Sequence, residues 1–343
     1  MRKFILSMAL AILSVGAYAQ TNRAITGTAP SKVLNCSNDN PQFPIIGKKY
    51  TYTVNGPEGQ YHFFATNDRN FINNGVLATT SAYSETNGQI KVGTGNYNNA
   101  NSEDKSIELA WTNAASSTSY LVVNHTPKTG CTTTNNLKVL KIEPKNAFFI
   151  ELRNMNGAKE TQAQSATSNV DVCLGNIKSA EIMSDKVSYD YGEQSLFYEL
   201  IAANYDKSFV PQMKIEGLKT GQTATLKWGY NRDNITQVLK TINVADMDQH
   251  VDFPEIIADD TINPDQGVSI YLELVINNGK EEGLTDQTIT LLADATTGVN
   301  KNIKDVKTDC SEEDDFADKA IQTLKARATI TAGAGLNFMT AQP

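Results

Sequence analysis

Apolar residues in this chain recur in short runs that alternate with polar ones, a period that suits strands and not helices. Residues 49–54 (KYTYTV) alternate strictly and stop at the turn signal 55–59 (NGPEG). An aromatic run follows at 60–65, and the pattern returns at 106–111, 119–124 and 136–142. The second half repeats it at 147–152, 196–202, 212–215, 224–228 and 269–276, with 288–292 read as the last strand. Such runs, rich in β-branched and aromatic residues and punctuated by Gly, Pro and Asn, predict an all-β chain of antiparallel sandwiches. The polar stretch 79–105 is long for a loop and is expected to hold an edge hairpin around 89–92.

The 343 residues, at about 150 per domain, suggest two such sandwiches. The boundary is placed near Pro144 and Lys145. The chain opens with a secretory signal pattern: basic residues 2–3, an apolar run from Phe4 to Val15, and the small-x-small site Ala17-Tyr18-Ala19. Such a segment is too short to span a bilayer as a permanent helix. The expected organisation is therefore a signal peptide at 1–19, a first sandwich at 20–144, a second at 145–310, and a helix with tail at 311–343. No later apolar stretch reaches bilayer length, so no transmembrane segment is expected. Gln20, not a cysteine, directly follows Ala19, so no lipoprotein anchor is expected either. A net charge of −8 speaks against a nucleic-acid partner, which needs a concentrated basic surface.

Four cysteines, Cys36, Cys131, Cys173 and Cys310, lie beyond the export signal. In an oxidising compartment an even count reads as a disulfide framework. Three pairings exist, and only Cys36–Cys131 with Cys173–Cys310 confines each bond to one expected sandwich. Each would contribute on the order of 4 kcal/mol in the chain-entropy model. The absence of a Cys-x-x-Cys spacing argues against a metal or redox site. At the end of the chain, Ser311 could cap a helix whose first turn carries Glu312 to Asp315. Phe316, Ala320, Ile321 and Leu324 would form its apolar stripe, with Lys325 and Arg327 toward its end.

Several stretches carry a resemblance. Trp111-Thr112, Ser119-Tyr120-Leu121-Val122-Val123 and Gly130-Cys131-Thr132 resemble the closing strands of PKD-like and immunoglobulin-like modules of secreted Bacteroidetes proteins. More of the chain resembles an uncharacterised family of exported Bacteroidetes proteins. The matching stretches are Asn35-Cys36, 44–52 (PIIGKKYTY), Asn70-Phe71-Ile72, 137–139, 142–148 (IEPKNAF) and 191–200 (YGEQSLFYEL). This resemblance implies two β domains in a cell-envelope or surface setting, with an accessory role in adhesion or gliding, and it carries over no catalytic residue. Many surface proteins of that phylum end in a β-sandwich sorting domain for type IX secretion. Residues 330–343 read instead as a helix exit and tail, which points to the periplasm or to another route to the surface.

Motifs for chemistry are sparse. His62, His125 and His250 have no zinc-site spacing, and neither a Gly-x-Ser-x-Gly elbow nor a phosphate-binding loop is present. Asp246, Asp248, Asp252, Asp259, Asp260 and Asp265 cluster in one segment, a candidate calcium loop that reads more simply as a solvated acidic loop. Asp260-Thr261-Ile262 matches the Asp–Ser/Thr–apolar pattern of Bacteroidetes O-glycosylation, making Thr261 a candidate modification site. Tyr83, Tyr97, Tyr205 and Tyr230 stand in loop-like contexts where they could stack on a glycan. Trp111 and Trp228 read as core. The leading expectation is a non-enzymatic exported envelope or surface protein without cofactor, a structural or accessory subunit whose partners are other envelope proteins or its own copies. A glycan-binding module is the alternative, and a secreted hydrolase the third reading.

Overall fold

The computed structural model describes residues 34–341, apart from 113, 116, 130–135, 158–168, 206–207, 258–266 and 299. The signal segment 1–19, Cys131 and Thr261 lie outside the described residues. The described part is all-β, and its strands enclose two separate hydrophobic cores.

Eight strands surround the first core: β1 (Lys49–Thr53), β2 (Gly59–Thr66), β3 (Ile72–Asn73), β4 (Val76–Leu77), β5 (Ile90–Val92), β6 (Ser106–Trp111), β7 (Ser119–Pro127) and β8 (Asn136–Ile142). They form the sheets β1-β6-β5 and β2-β7-β8, with β3-β4 as a small ribbon turned by Asn74 and Gly75, both at positive φ. The Asn-Gly pair is the expected chemistry for such a tight turn. Alternation explains the packing. In β1, Tyr50 and Tyr52 point inward while Lys49, Thr51 and Thr53 face water. Opposite them, Phe63, Leu121, Val123 and Ile142 close the core around Trp111, whose Nε1 donates to Tyr52 Oη at 2.7 Å. Strand β5 supplies the edge foreseen near 89–92, pairing Ile90 with Trp111.

The second core begins at Phe148. Its strands are β9 (Phe149–Met155), β10 (Val170–Cys173), β11 (Ser179–Met183), β12 (Lys186–Asp190), β13 (Glu193–Ala203), β14 (Ser208–Glu216), β15 (Thr223–Gly229), β16 (Gln237–Asn243), β17 (Val251–Asp252), β18 (Ile256–Ile257), β19 (Val268–Asn277), β20 (Gln287–Thr297), β21 (Ile303–Lys304) and β22 (Asp318–Lys325). One sheet has the order β16-β15-β19-β13-β9. The other runs β10-β22-β20-β14-β17, with β18 on β14 and β21 on β20. Leu196, Tyr198, Leu200 and Ala202 of β13 face Phe209, Met213 and Ile215 of β14, and Ile289, Leu291 and Ala293 of β20, across the core.

Two expectations are corrected. The terminal helix is a strand: Asp318–Lys325 lies between β20 and β10. Ala320, Gln322 and Leu324 alternate inward there, and Gln322 is fully buried with its Nε2 donating to Phe197 O at 2.8 Å. A buried glutamine at an inward position hid the period-two pattern and left an apparent helical stripe. Residues 288–292 are therefore not the last strand, and the second unit runs past 310. The expected all-β, antiparallel character holds, with one parallel pairing, β10 with β22.

The disulfide pairing differs as well. Cys36 bonds Cys310, 274 positions further along the chain, with Cα atoms 5.1 Å apart. Cys173 is an exposed free thiol. Neither Cys36–Cys131 nor Cys173–Cys310 forms. The reason lies in the lead-in to the first unit, residues 34–36, which packs on the second unit. Leu34 packs against Phe149, Ala203, Val306 and Cys310, and Asn35 N donates to Thr308 O at 2.6 Å.

Candidate functional site

One end of the second unit carries an open surface. Strands β11 and β12 form a hairpin with register Ser179↔Asp190 through Met183↔Lys186. Ser184 and Asp185, both at positive φ, make its two-residue turn. Every residue of β11 is exposed. Ile182 stands 71% and Met183 52% exposed. Beyond Arg327 the chain becomes a tail that returns to the hairpin, where Val187 N donates to Thr340 O at 3.1 Å. This tail holds Ile330, Leu336, Phe338 and Met339 in solvent, the first at 80% exposure. The outer edge of β11 has no partner strand among the described residues.

Arg327 fixes where the tail leaves the body. Its Nη2 donates to Gly175 O at 2.6 Å, its Nε donates to Glu282 O at 3.0 Å, and its guanidinium lies over the Tyr191 ring. Burial pushes the Tyr191 hydroxyl up to about 12, with Glu282 and Tyr189 adding to the rise and Arg327 opposing it. Beside this anchor lies a recess of about 380 Å³, lined by Cys173, Leu174, Ile177, Lys325, Ala326, Arg327 and Ala328. It continues the open surface toward the Cys173 thiol.

The opposite end, near the disulfide, gathers acids. Asp305, Glu313 and Asp318 bring carboxylate oxygens within 4.8 Å of one another, and Asp294 of β20 adjoins Asp305. Asp294, Asp305 and Asp318 are all buried. Carboxylates this close cannot all ionise without a compensating charge. Burial, the hydrogen bond to Asp294 and the charges of Asp294 and Asp318 raise Asp305 to about 8, so Asp305 keeps its proton near neutrality.

The residues singled out in the sequence scatter. Asp246 accepts from Asn243 N and closes a turn, and Asp252 accepts from Gln212 Nε2. Asp248 stands exposed, while Asp259, Asp260 and Asp265 lie outside the described residues. Among the described residues, the acids of the expected calcium loop do not come together; the acids near the disulfide do. Of these, only Glu313 was read from the sequence, as a charge in the first turn of an expected helix, because β22 was not recognised as a strand. The expected glycan platform is packed inward. Tyr83 is buried with its hydroxyl 3.0 Å from Ser119 Oγ, and Tyr97 Oη donates to Tyr83 O at 2.8 Å. Tyr205 packs on Phe209, and Tyr230 on Trp228. Trp111 and Trp228 are core residues, as read from their strands. His62 Nε2 contacts Asn98 Oδ1 at 2.9 Å, His125 stacks on Tyr61, and His250 lies 3.3 Å from Asp252. No histidine joins a metal-ligand grouping among the described residues.

No family model matches the chain, and no curated protein matches it. Among solved structures, it is similar at 10% identity to the N-terminal domain of PorA, with a TM-score of 0.24 over 51% of this chain and 96% of that one. It is similar at 10% identity to a mutant of the enterotoxigenic E. coli adhesin CfaE, with a TM-score of 0.28 over 90% of this chain and 92% of that one. The CupB6 tip adhesin of Pseudomonas aeruginosa matches at 8% identity, with a TM-score of 0.27 over 88% of this chain and 98% of that one. Likenesses this distant assign no function to the chain.

Proposed function

We propose that this chain is a non-enzymatic exported protein of the cell envelope or surface, a structural or accessory subunit in protein–protein assembly. The observation that carries the reading is the hairpin–tail end: among the described residues the β11 edge has no partner strand, and an exposed apolar tail lies along β12. Exposed apolar patches larger than a few hundred Å² mark interaction sites in soluble proteins, and open strand edges accept partner strands. The Cys36–Cys310 bond supports an oxidising, extracytoplasmic setting. No helix of the described residues is long and apolar enough to cross a membrane. Adhesion and gliding are the accessory roles that the family resemblance suggests. The glycan-binding alternative has less support now that its candidate tyrosines pack inward.

The test is the native mass of the protein gently extracted from the envelope of its host. A discrete assembly several times the mass of one chain is expected. A clean monomer in such extracts would sink the assembly reading and send the search to glycan arrays.

A further inference from the structure

We propose that the Cys36–Cys310 bond is a lock on the angle between the two units. Closed, it makes the first unit a doubly anchored insertion in the second. Open, it leaves the first unit to swing on residues 143–147 alone. The inference goes beyond the assembly reading and does not depend on it.

The lock follows from how the chain passes between the units, which it does twice. Residues 39–47 belong to the base of the first unit. Tyr52 Oη donates to Pro41 O at 2.9 Å, Ile45 N to Tyr50 Oη at 2.8 Å, and Gly47 N to Trp111 O at 2.8 Å, while Lys48 pairs with Asp39 at 2.6 Å. The exit from that unit runs beside this entrance. Glu143 N donates to Gln42 O at 2.8 Å, Lys145 N to Pro44 O at 2.8 Å, and Ile46 N to Lys145 O at 3.1 Å, and Ile45 bridges Lys145 in parallel. Both crossings are short. Ser37 and Asn38 join Cys36 to Asp39, and Asn146 directly follows Lys145. Both also land on one segment of the second unit, residues 304–310. Asn146 Nδ2 donates to Lys304 O at 2.8 Å and Val306 N to Phe148 O at 2.9 Å, while Asn35 N donates to Thr308 O at 2.6 Å and Cys36 bonds Cys310.

The two anchors differ in kind. The exit runs on into β9, which pairs with β13 along its whole length. Among the described residues, the entrance is held by the packing of Leu34, one backbone hydrogen bond and the disulfide. Without the disulfide it can peel away. Little else joins the units: the cores are separate, and among the described strands none of β1–β8 packs broadly on any of β9–β22. Units that share so small an interface move relative to one another by default. A single crossing keeps the soft φ and ψ rotations of its residues, so the first unit could tilt and twist. A second crossing, covalently fixed beside the first, closes a ring and removes the twist.

NMR relaxation of the deuterated, signal-free chain tests this. A Cys131→Ser, Cys173→Ser background leaves no other thiol to bridge the units. With the bond closed, the strands of both units should share one rotational correlation time. Adding Cys36→Ser and Cys310→Ser should abolish that shared value. The amides of β1–β8 should then report a shorter time than those of β9–β22, while both cores keep their hydrogen-exchange protection. Should that variant fail to fold, dithiothreitol added to the folded, bonded chain serves instead. The dithiol leaves as its cyclic disulfide, having passed two electrons and two protons to Cys36 and Cys310. The same loss is expected, and reoxidation should reverse it. One shared time after the bond is removed overturns the proposal, and so do two separate times in the bonded chain. Unfolding of either core on reduction also overturns it, because the bond would then hold the fold and not the angle.

Discussion

At the scale of single residues, the polar groups buried in the second unit are the most telling. Glu151 and Arg153 form an ion pair at 2.9 Å with side chains 1% and 8% exposed, and Gln222 and Gln287 bond to each other in the core. A sequence reader places such residues on the surface, because charged and amide side chains are seldom fully buried. Asp305 has the clearest consequence. Its folded pKa, near 8, stands above the ordinary aspartate value of about 3.9. The folded state then holds a proton that the unfolded chain releases. The stability this contributes is complete in acid and declines as pH climbs from about 4 to about 8. Asp305→Asn keeps a neutral donor at the site and removes the titration. Thermal melts should show the variant gaining on the parent as pH rises from about 5 to about 8. Parallel curves across that range would mean that Asp305 is not the group holding the proton.

At the scale of elements, alternation was legible wherever inward positions are apolar. Period two is clean in β1, β6 and β15, as in Tyr50 and Tyr52 of β1, while β2, β7, β13 and β19 were found as apolar or aromatic runs buried on both faces for much of their length. It failed in β22, where Asp318 and Gln322 occupy inward positions. It also failed in β11 and β12, which bury no residue and so have no apolar face to read. The candidate interaction surface falls there, which is why composition and motifs did not find it. The strand assignment of 318–325 makes a sharp prediction. On a helix, Gln322 would lie beside the polar face and accept a lysine without cost. In β22 it is fully buried, so Gln322→Lys should cost about 3–5 kcal/mol through an unpaired buried charge. Urea unfolding reads the difference, and a neutral result would contradict the register of β22.

At the scale of the whole molecule, the Cys36–Cys310 bond closes most of the described chain into one loop. The chain-entropy model gives a bond over that separation on the order of 5 kcal/mol. Cys310→Ser should therefore lower the urea midpoint by the equivalent of about 2–5 kcal/mol, with the lead-in around Leu34 losing hydrogen-exchange protection first. Loss confined to the first core, with the lead-in still protected, would contradict the packing of Leu34 on Phe149 and Val306. The same bond constrains how the protein can mature. Synthesis runs from the N-terminus, so Cys36 emerges with Cys131 and then Cys173 as its early neighbours, and Cys310 follows only when nearly all of the chain is made. Oxidation that keeps pace with emergence would join the wrong thiols. The native link must then come either from delayed oxidation or from exchange through a mixed disulfide, which makes correct maturation depend on a thiol-exchange catalyst wherever oxidation is fast.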